Sequence, residues 1–185
     1  MPVMNTIPHS LTPRQRLYLQ RLTQSKIRLL AAIDGLDQQT LCHTPALGDW
    51  TIKDILGHLV AWNDEFRREI QLILQGEHPG YQYQISGADS FAASNQLWID
   101  ARRTWTWAQM RADLERDYQA EFQLIQSLSP ADFRQRGVTP WKRAAFQPPA
   151  SLTRADTESV ETLVTFHWRH INQHVRWILR WRRSH

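Results

Sequence analysis

Apolar residues recur at helical spacing in four long stretches of this chain, and polar or turn-forming residues fill the intervals between them. In the first stretch, Leu17, Leu22, Ile27, Leu29, Leu30 and Ile33 follow Thr12-Pro13, an N-cap residue ahead of a proline at the first helical position. That helix should end near Asp34-Gly35. A polar connection carrying Thr44-Pro45 and Gly48-Asp49 leads to the second, which opens on a capping-box pattern from Thr51 to Asp54. Its apolar positions, Ile52, Ile55, Leu56, Leu59, Phe66, Ile70 and Ile73, extend it to about Gln75. A loop over Gly76 to Gly87 contains His78-Pro79-Gly80, and Ser90 to Arg102 reads as helical. The third long helix restarts at Thr106 and Gln109, a second capping box, and runs through Met110, Leu114, Tyr118, Phe122, Ile125 and Leu128. Ser129-Pro130-Ala131-Asp132 then caps a short helical turn. From about Arg134 to Thr153 the chain is irregular and proline-containing, long enough to cross a bundle or to form a lid. The last helix should start near Asp156 and reach about Trp181.

Composition narrows the class. Seven glycines in 185 residues are too few for the many tight turns of an all-β design, so the pattern predicts an all-α fold. The length suits a single domain with one real core. Nine tryptophans need buried or half-buried places to sit. Cys42 is the only cysteine, which rules out an internal disulfide and fits a reducing, cytoplasmic compartment. It stands in a loop with no base pattern beside it, so a catalytic thiol is not expected. Met1 to Ser10 lacks the basic and apolar regions of a secretory leader, and no apolar run is long enough for a membrane helix. The formal charge is a modest +4, but Arg169, Arg176, Arg180, Arg182 and Arg183 crowd the C-terminal end. Mixed with Trp177 and Trp181, they would suit phosphates, nucleic acid or an anionic membrane. The preferred reading is a solvated helix end, where cations are favoured and no nucleic-acid motif is present.

The candidate chemistry lies in the histidines. In Phe166-His167-Trp168-Arg169-His170-Ile171-Asn172-Gln173-His174, a helical turn of about 100° per residue brings His167, His170 and His174 within roughly 60° of one another. They lie on or beside the apolar stripe of Val160, Leu163, Val164, Ile171, Ile178 and Trp181, so they should face the interior. Imidazoles one turn apart on one helical face can offer nitrogens to one metal ion. Lining a wet cleft, or hydrogen bonding across the bundle, would equally satisfy them. On the second helix His58 stands about 90° from the centre of the apolar face, on a shoulder shared with Trp62. Such a position suits the rim of a cleft between helices and equally a half-exposed histidine without a role.

Two segments carry a family resemblance. Trp50-Thr51-Ile52-Lys53-Asp54 leading to His58-Leu59 and Trp62, with His170-x-x-x-His174 in the last helix, resembles the two signatures of the DinB superfamily. The continuation into Val175-Arg176-Trp177-Ile178 is most similar to the ClbS/DfsB branch. The resemblance implies a DinB-like four-helix bundle with a long crossover connection, often a homodimer. It implies a divalent metal, zinc, nickel or iron, on His58, His170 and His174, with water completing the shell. It also implies a small-molecule substrate and, in some relatives, a low-molecular-weight thiol. Relatives include thiol-dependent transferases and isomerases and a self-protection hydrolase, so the family points to a metal more firmly than to a reaction.

Other residues stand near this group. His167 is not required by the family pattern; it either replaces His170 as a ligand or, the preferred reading, supports the site or packs. Trp62, Tyr81 and Tyr83 are candidate pocket residues, the two tyrosines from the loop after the second helix. Trp98, Trp105 and Trp107 are read as core before pocket. Asp54 and Glu65 are placed either to orient His58 or merely to cap and solvate their helix. A non-catalytic ligand-binding bundle is the alternative to an enzyme, and a nucleic-acid module is the least favoured.

Overall fold

In the computed structural model, residues 7, 8, 10–79, 88–139, 153 and 157–184 are described, with 88–91 by their backbone alone. The long helices are α1 (Pro13–Ile33), α3 (Ile52–Leu74), α5 (Trp107–Ser127) and α6 (Val160–Arg182). Shorter α2 (Gln38–His43) and α4 (Ala88–Asp100) lie in the connections, as does a 3₁₀ turn at Asp132–Arg134. The bundle is closed in the order α1–α6–α3–α5, so α1 and α3 face each other diagonally, as do α5 and α6. Both diagonal connections must therefore cross an end of the bundle, which is why they are long.

Capping sets the helix starts. Thr12, Thr51 and Thr106 each accept from the backbone three residues on, and Gln15, Asp54 and Gln109 reach back to close the box. Gln15 does more: its Nε2 donates to the carbonyls of Gln126 and Leu128 at 2.9 and 2.8 Å, capping the far end of α5 across the bundle. Arg182 plays the matching part for α1, donating to the Ala32 and Asp34 carbonyls at 2.9 Å each. Gly76, at φ +81°, ends α3 by turning into a conformation that favours glycine.

Three expectations need correction. The connection expected to be merely polar folds into α2 and a small hairpin, β1 (Pro45–Leu47) with β2 (Trp50–Thr51). The last helix begins at Val160, capped by Ser159. Its expected start, Asp156, lies outside the described residues. Glu158–Ser159 (β4) instead pairs antiparallel with Arg136–Gly137 (β3), and that ladder holds the backbone extended up to the cap. The shoulder of α3 does not exist: from Ile52 through Ala61 every residue is buried. The early turns of α3 are covered on all sides by α2, the hairpin, α4, α5 and α6, so periodicity could not mark an outer face there.

One contiguous core joins the four long helices, with Leu19, Ile55, Leu56, Leu59, Ile70 and Leu163 among its fully enclosed members. Trp105 and Trp107 pack against it, as expected. No helix among the described residues is long and apolar enough to cross a membrane.

Candidate metal centre

His58 comes from the second turn of α3, and His170 and His174 from successive turns of α6, which packs beside it. The three Nε2 atoms converge. His170 Nε2 lies 3.2 Å from that of His58 and 3.1 Å from that of His174. One ligand atom from each ring lies within 4.8 Å of the others, a group able to hold a metal ion. His58 and His174 are buried, and His170 is half-buried.

Hydrogen bonding does not account for this arrangement. A neutral imidazole has one N–H and one in-plane lone pair, so His170 Nε2 can be donor or acceptor but not both. It cannot make two well-aligned bonds to its two neighbours. The three Nδ1 atoms are buried and have no hydrogen-bond partner among the described residues. Each unpaired buried group costs about 1–3 kcal/mol, so the cluster is a liability to the fold unless something else occupies its lone pairs. A borderline divalent cation suits this donor set of imidazole nitrogens in a largely aromatic surround.

The surround is aromatic. The Trp50 ring lies 5.1 Å from His58 and the Trp177 ring 4.7 Å from His174, while Trp62 stands edge-on to His58 at 6.4 Å and to His170 at 6.2 Å. Trp50 stands on β2 of the hairpin, and α4 holds Trp62, whose Nε1 donates to Asn95 Oδ1 at 2.9 Å. Burial in this shell pushes the imidazole pKa values down, to about 4 for His58 (against the Asn95 amide) and about 3 for His174. For His170 it falls to about 2, burial again being the largest cause and the neighbouring histidines adding to it. All three rings are therefore neutral near pH 7, the state in which imidazole ligates.

His167 belongs elsewhere. It is 1% exposed and its Nδ1 lies 2.5 Å from Glu121 Oε1, a contact that is close but not aligned as a hydrogen bond. Glu121 is 3.7 Å from Arg67, which in turn binds Asp117 at 2.6 Å, and Asn63 donates to the same carboxylate at 2.7 Å. His167 thus ends a buried polar chain in the middle of the bundle. Its signal in the sequence was Asp117 and Glu121, acids one turn apart at core spacing in α5; their partners come from other helices and could not be paired by inspection.

Neither Asp54 nor Glu65 orients His58. Asp54 closes the α3 capping box, and Glu65 pairs with Arg68 at 3.0 Å. Cys42 is half-buried with its thiol pKa raised chiefly by burial, the opposite of an activated thiolate. Tyr81 and Tyr83 lie outside the described residues. Trp62 does line a cleft of ≈ 660 Å³ that opens beside His170, with Trp98 packed edge-on against it at 5.2 Å. Sequence reasoning missed the rest of that wall, Phe66 and Phe166.

Solved structures of similar shape were found in three bacteria. An uncharacterized protein of Clostridium difficile 630 superposes with a TM-score of 0.71 at 12% identity, covering 94% of this chain and 98% of its own. YfiT of Bacillus subtilis, described as a probable metal-dependent hydrolase with an unusual four-helix bundle topology, gives 0.65 at 20% identity over 97% and 93%. A protein of Streptococcus pneumoniae gives 0.68 at 13% identity over 95% and 93%. At these identities the likeness establishes the fold. None of the curated proteins matches the chain. The model of the DinB superfamily matches residues 21–178, nearly the whole of the bundle with both histidine-bearing helices inside the match, and the chain belongs to that superfamily.

Proposed function

We propose that this protein is a metal-dependent enzyme acting on a small molecule, of hydrolase or thiol-dependent transferase type, with one divalent ion held by His58, His170 and His174. The observation that carries the reading is the convergence of three Nε2 atoms from rings whose buried Nδ1 atoms have no hydrogen-bond partner among the described residues. Three protein ligands leave coordination positions free, the arrangement of catalytic rather than structural sites. Bound there, a divalent ion supplies Lewis acidity toward a substrate oxygen, a thiol or water. The chain's own residues provide the rest. Trp50, Trp62 and Trp177 exclude bulk water and strengthen every electrostatic interaction at the site. Half-buried His170 sits where the site meets the cleft. Because all three ligands are neutral, they leave an ion's positive charge uncompensated and ready for an anionic or ionising group.

The similarity to YfiT supports hydrolysis, and the resemblance to the ClbS/DfsB branch supports the same site on a single-domain cytoplasmic protein, as a homodimer. Protein purified without a histidine tag should carry zinc, nickel or iron at roughly one equivalent, or take it up on addition. Less than about a tenth of an equivalent, unrestored by adding any of the three, would overturn the proposal.

A further inference from the structure

The cleft beside His170 has two unlike walls. One is aromatic and spans two helices: Trp62 and Phe66 on α3, and Phe166 on α6, which stacks on Phe66 at 6.2 Å and 27° yet stays 45% exposed. The other is a polar row along α6, with Gln173 and Arg176 beyond His170 and Arg169 beside it. No acidic residue lines the cleft among the described residues, and neither arginine has a carboxylate partner there. The two arginines are not equivalent. Arg169 already lies over the Trp168 ring at 5.5 Å, close to the aromatic end. Arg176 uses its Nε on the Asn172 carbonyl at 3.3 Å, and its terminal nitrogens have no partner among the described residues. From Phe166 to Arg176 the helix rises by about 15 Å, with His170 between them.

We infer that this cleft takes a small molecule with an apolar or aromatic body and an oxyanion at its far end, the body against Phe66 and Phe166 and the oxyanion at Arg176. The group between them then lies at His170. This deepens the proposed function by naming its substrate class, and only the placing of the reacting group rests on that reading. A cavity of ≈ 660 Å³ is the size of a small-molecule site rather than a polymer track. An exposed aromatic wall recognises an apolar body of limited size, and a guanidinium with free terminal nitrogens recognises a carboxylate or phosphate by paired charge-assisted hydrogen bonds.

Isothermal titration calorimetry on the full chain, stripped of metal with EDTA so that no ion can ligate the probe, tests this with three matched ligands. These are 6-phenylhexanoate, its neutral amide and 6-phenylhexyl phosphate. Either anion should bind at least about tenfold more tightly than the amide, the size of one charge-assisted contact. Which anion binds better identifies the oxyanion. Arg176→Gln should bring anion and amide within about twofold of each other, and Phe166→Ala should weaken all three alike. Arg180→Gln, outside the cleft, should change nothing, with circular dichroism confirming that each variant is folded. Equal affinity for anion and amide, no binding of any probe up to millimolar, or an anion preference that survives Arg176→Gln would overturn the inference. So would tight, Arg176-dependent binding of a mixed oligonucleotide or phosphatidylglycerol vesicles with none of the three probes. Because the titration is run without metal, its outcome is independent of metal content, which alone decides the proposed function.

Discussion

Two histidine environments stand within a turn of each other on α6, and they are opposites. His167 is met by a carboxylate, Glu121, and behind it by a chain of alternating charge and amide, Arg67, Asp117 and Asn63. His170 and His174 meet only another histidine, His58, and a shell of tryptophan. The first group is joined by charge contacts and by the Asn63 and Arg67 hydrogen bonds to Asp117, although neither His167 nitrogen nor either Glu121 oxygen makes an aligned hydrogen bond, so removing one member takes away another's charge partner. In the second, the three Nε2 atoms face one another and no Nδ1 has a hydrogen-bond partner among the described residues. Spacing along a helix cannot tell these cases apart; what faces each ring from the neighbouring helices does. The same burial therefore marks a structural network in one place and a candidate ligand set in the other.

The largest difference should appear in metal binding. Replacing His58 or His174 with alanine should lower affinity by two or more orders of magnitude in competition with a chelator, whereas His167→Ala should leave metal content near that of the parent. Loss of metal on changing His167, with retention on changing His174, would exchange the two environments.

Stability should respond in the reverse sense. Glu121→Ala strands His167 and removes one of the charges facing Arg67, so denaturant unfolding should show a loss of about 3 kcal/mol with metal content unchanged. A stability change under about 0.5 kcal/mol would mean that the buried chain is not a coupled unit.

A third buried group sharpens the rule that partners decide the outcome. Glu69, on the same helix as His58, is fully buried with neither oxygen hydrogen-bonded, and burial with the nearby Glu65 charge pushes its pKa from 4.5 up to about 9. A carboxyl with a raised folded-state pKa holds its proton more tightly when folded. Its contribution is thus most favourable below the unfolded value and is lost as pH rises from about 5 toward 9. Glu69→Gln should flatten that decline and raise stability at pH 8 by roughly 1–2 kcal/mol; an unchanged pH slope would show that Glu69 has found a partner. The smallest effect is expected at the triad itself without metal. There His174→Leu should stabilise the EDTA-treated protein by about 1 kcal/mol, because it removes an unpaired imidazole from an apolar shell.

Much of the bundle was legible in the chain, for local reasons. The four long helices, the Thr12 cap and the capping boxes at Thr51–Asp54 and Thr106–Gln109 depend on residues within a turn of one another, which is what periodicity and cap chemistry report. The pair His170 and His174 was legible in the same way. What was hidden is non-local. His58 looked like a shoulder residue because it stands about 90° from the centre of the apolar face of α3, yet even polar Lys53 on that helix is buried, donating to the Arg103 and Trp105 carbonyls at 2.8 and 2.9 Å. The hairpin that brings Trp50 to His58 is too short to leave an alternating pattern. The arginines at the C-terminal end read as one basic cluster, but the fold divides them: Arg182 caps α1, and Arg169 and Arg176 line the cleft.

X-ray absorption at the metal edge of the loaded protein tests the central claim most directly. With zinc, the account expects about three imidazole nitrogens at roughly 2.0–2.1 Å plus light oxygen donors, and loss of that imidazole signature in His58→Ala. A shell of carboxylate oxygens or sulfur, or an imidazole signature unchanged in His58→Ala, would contradict it.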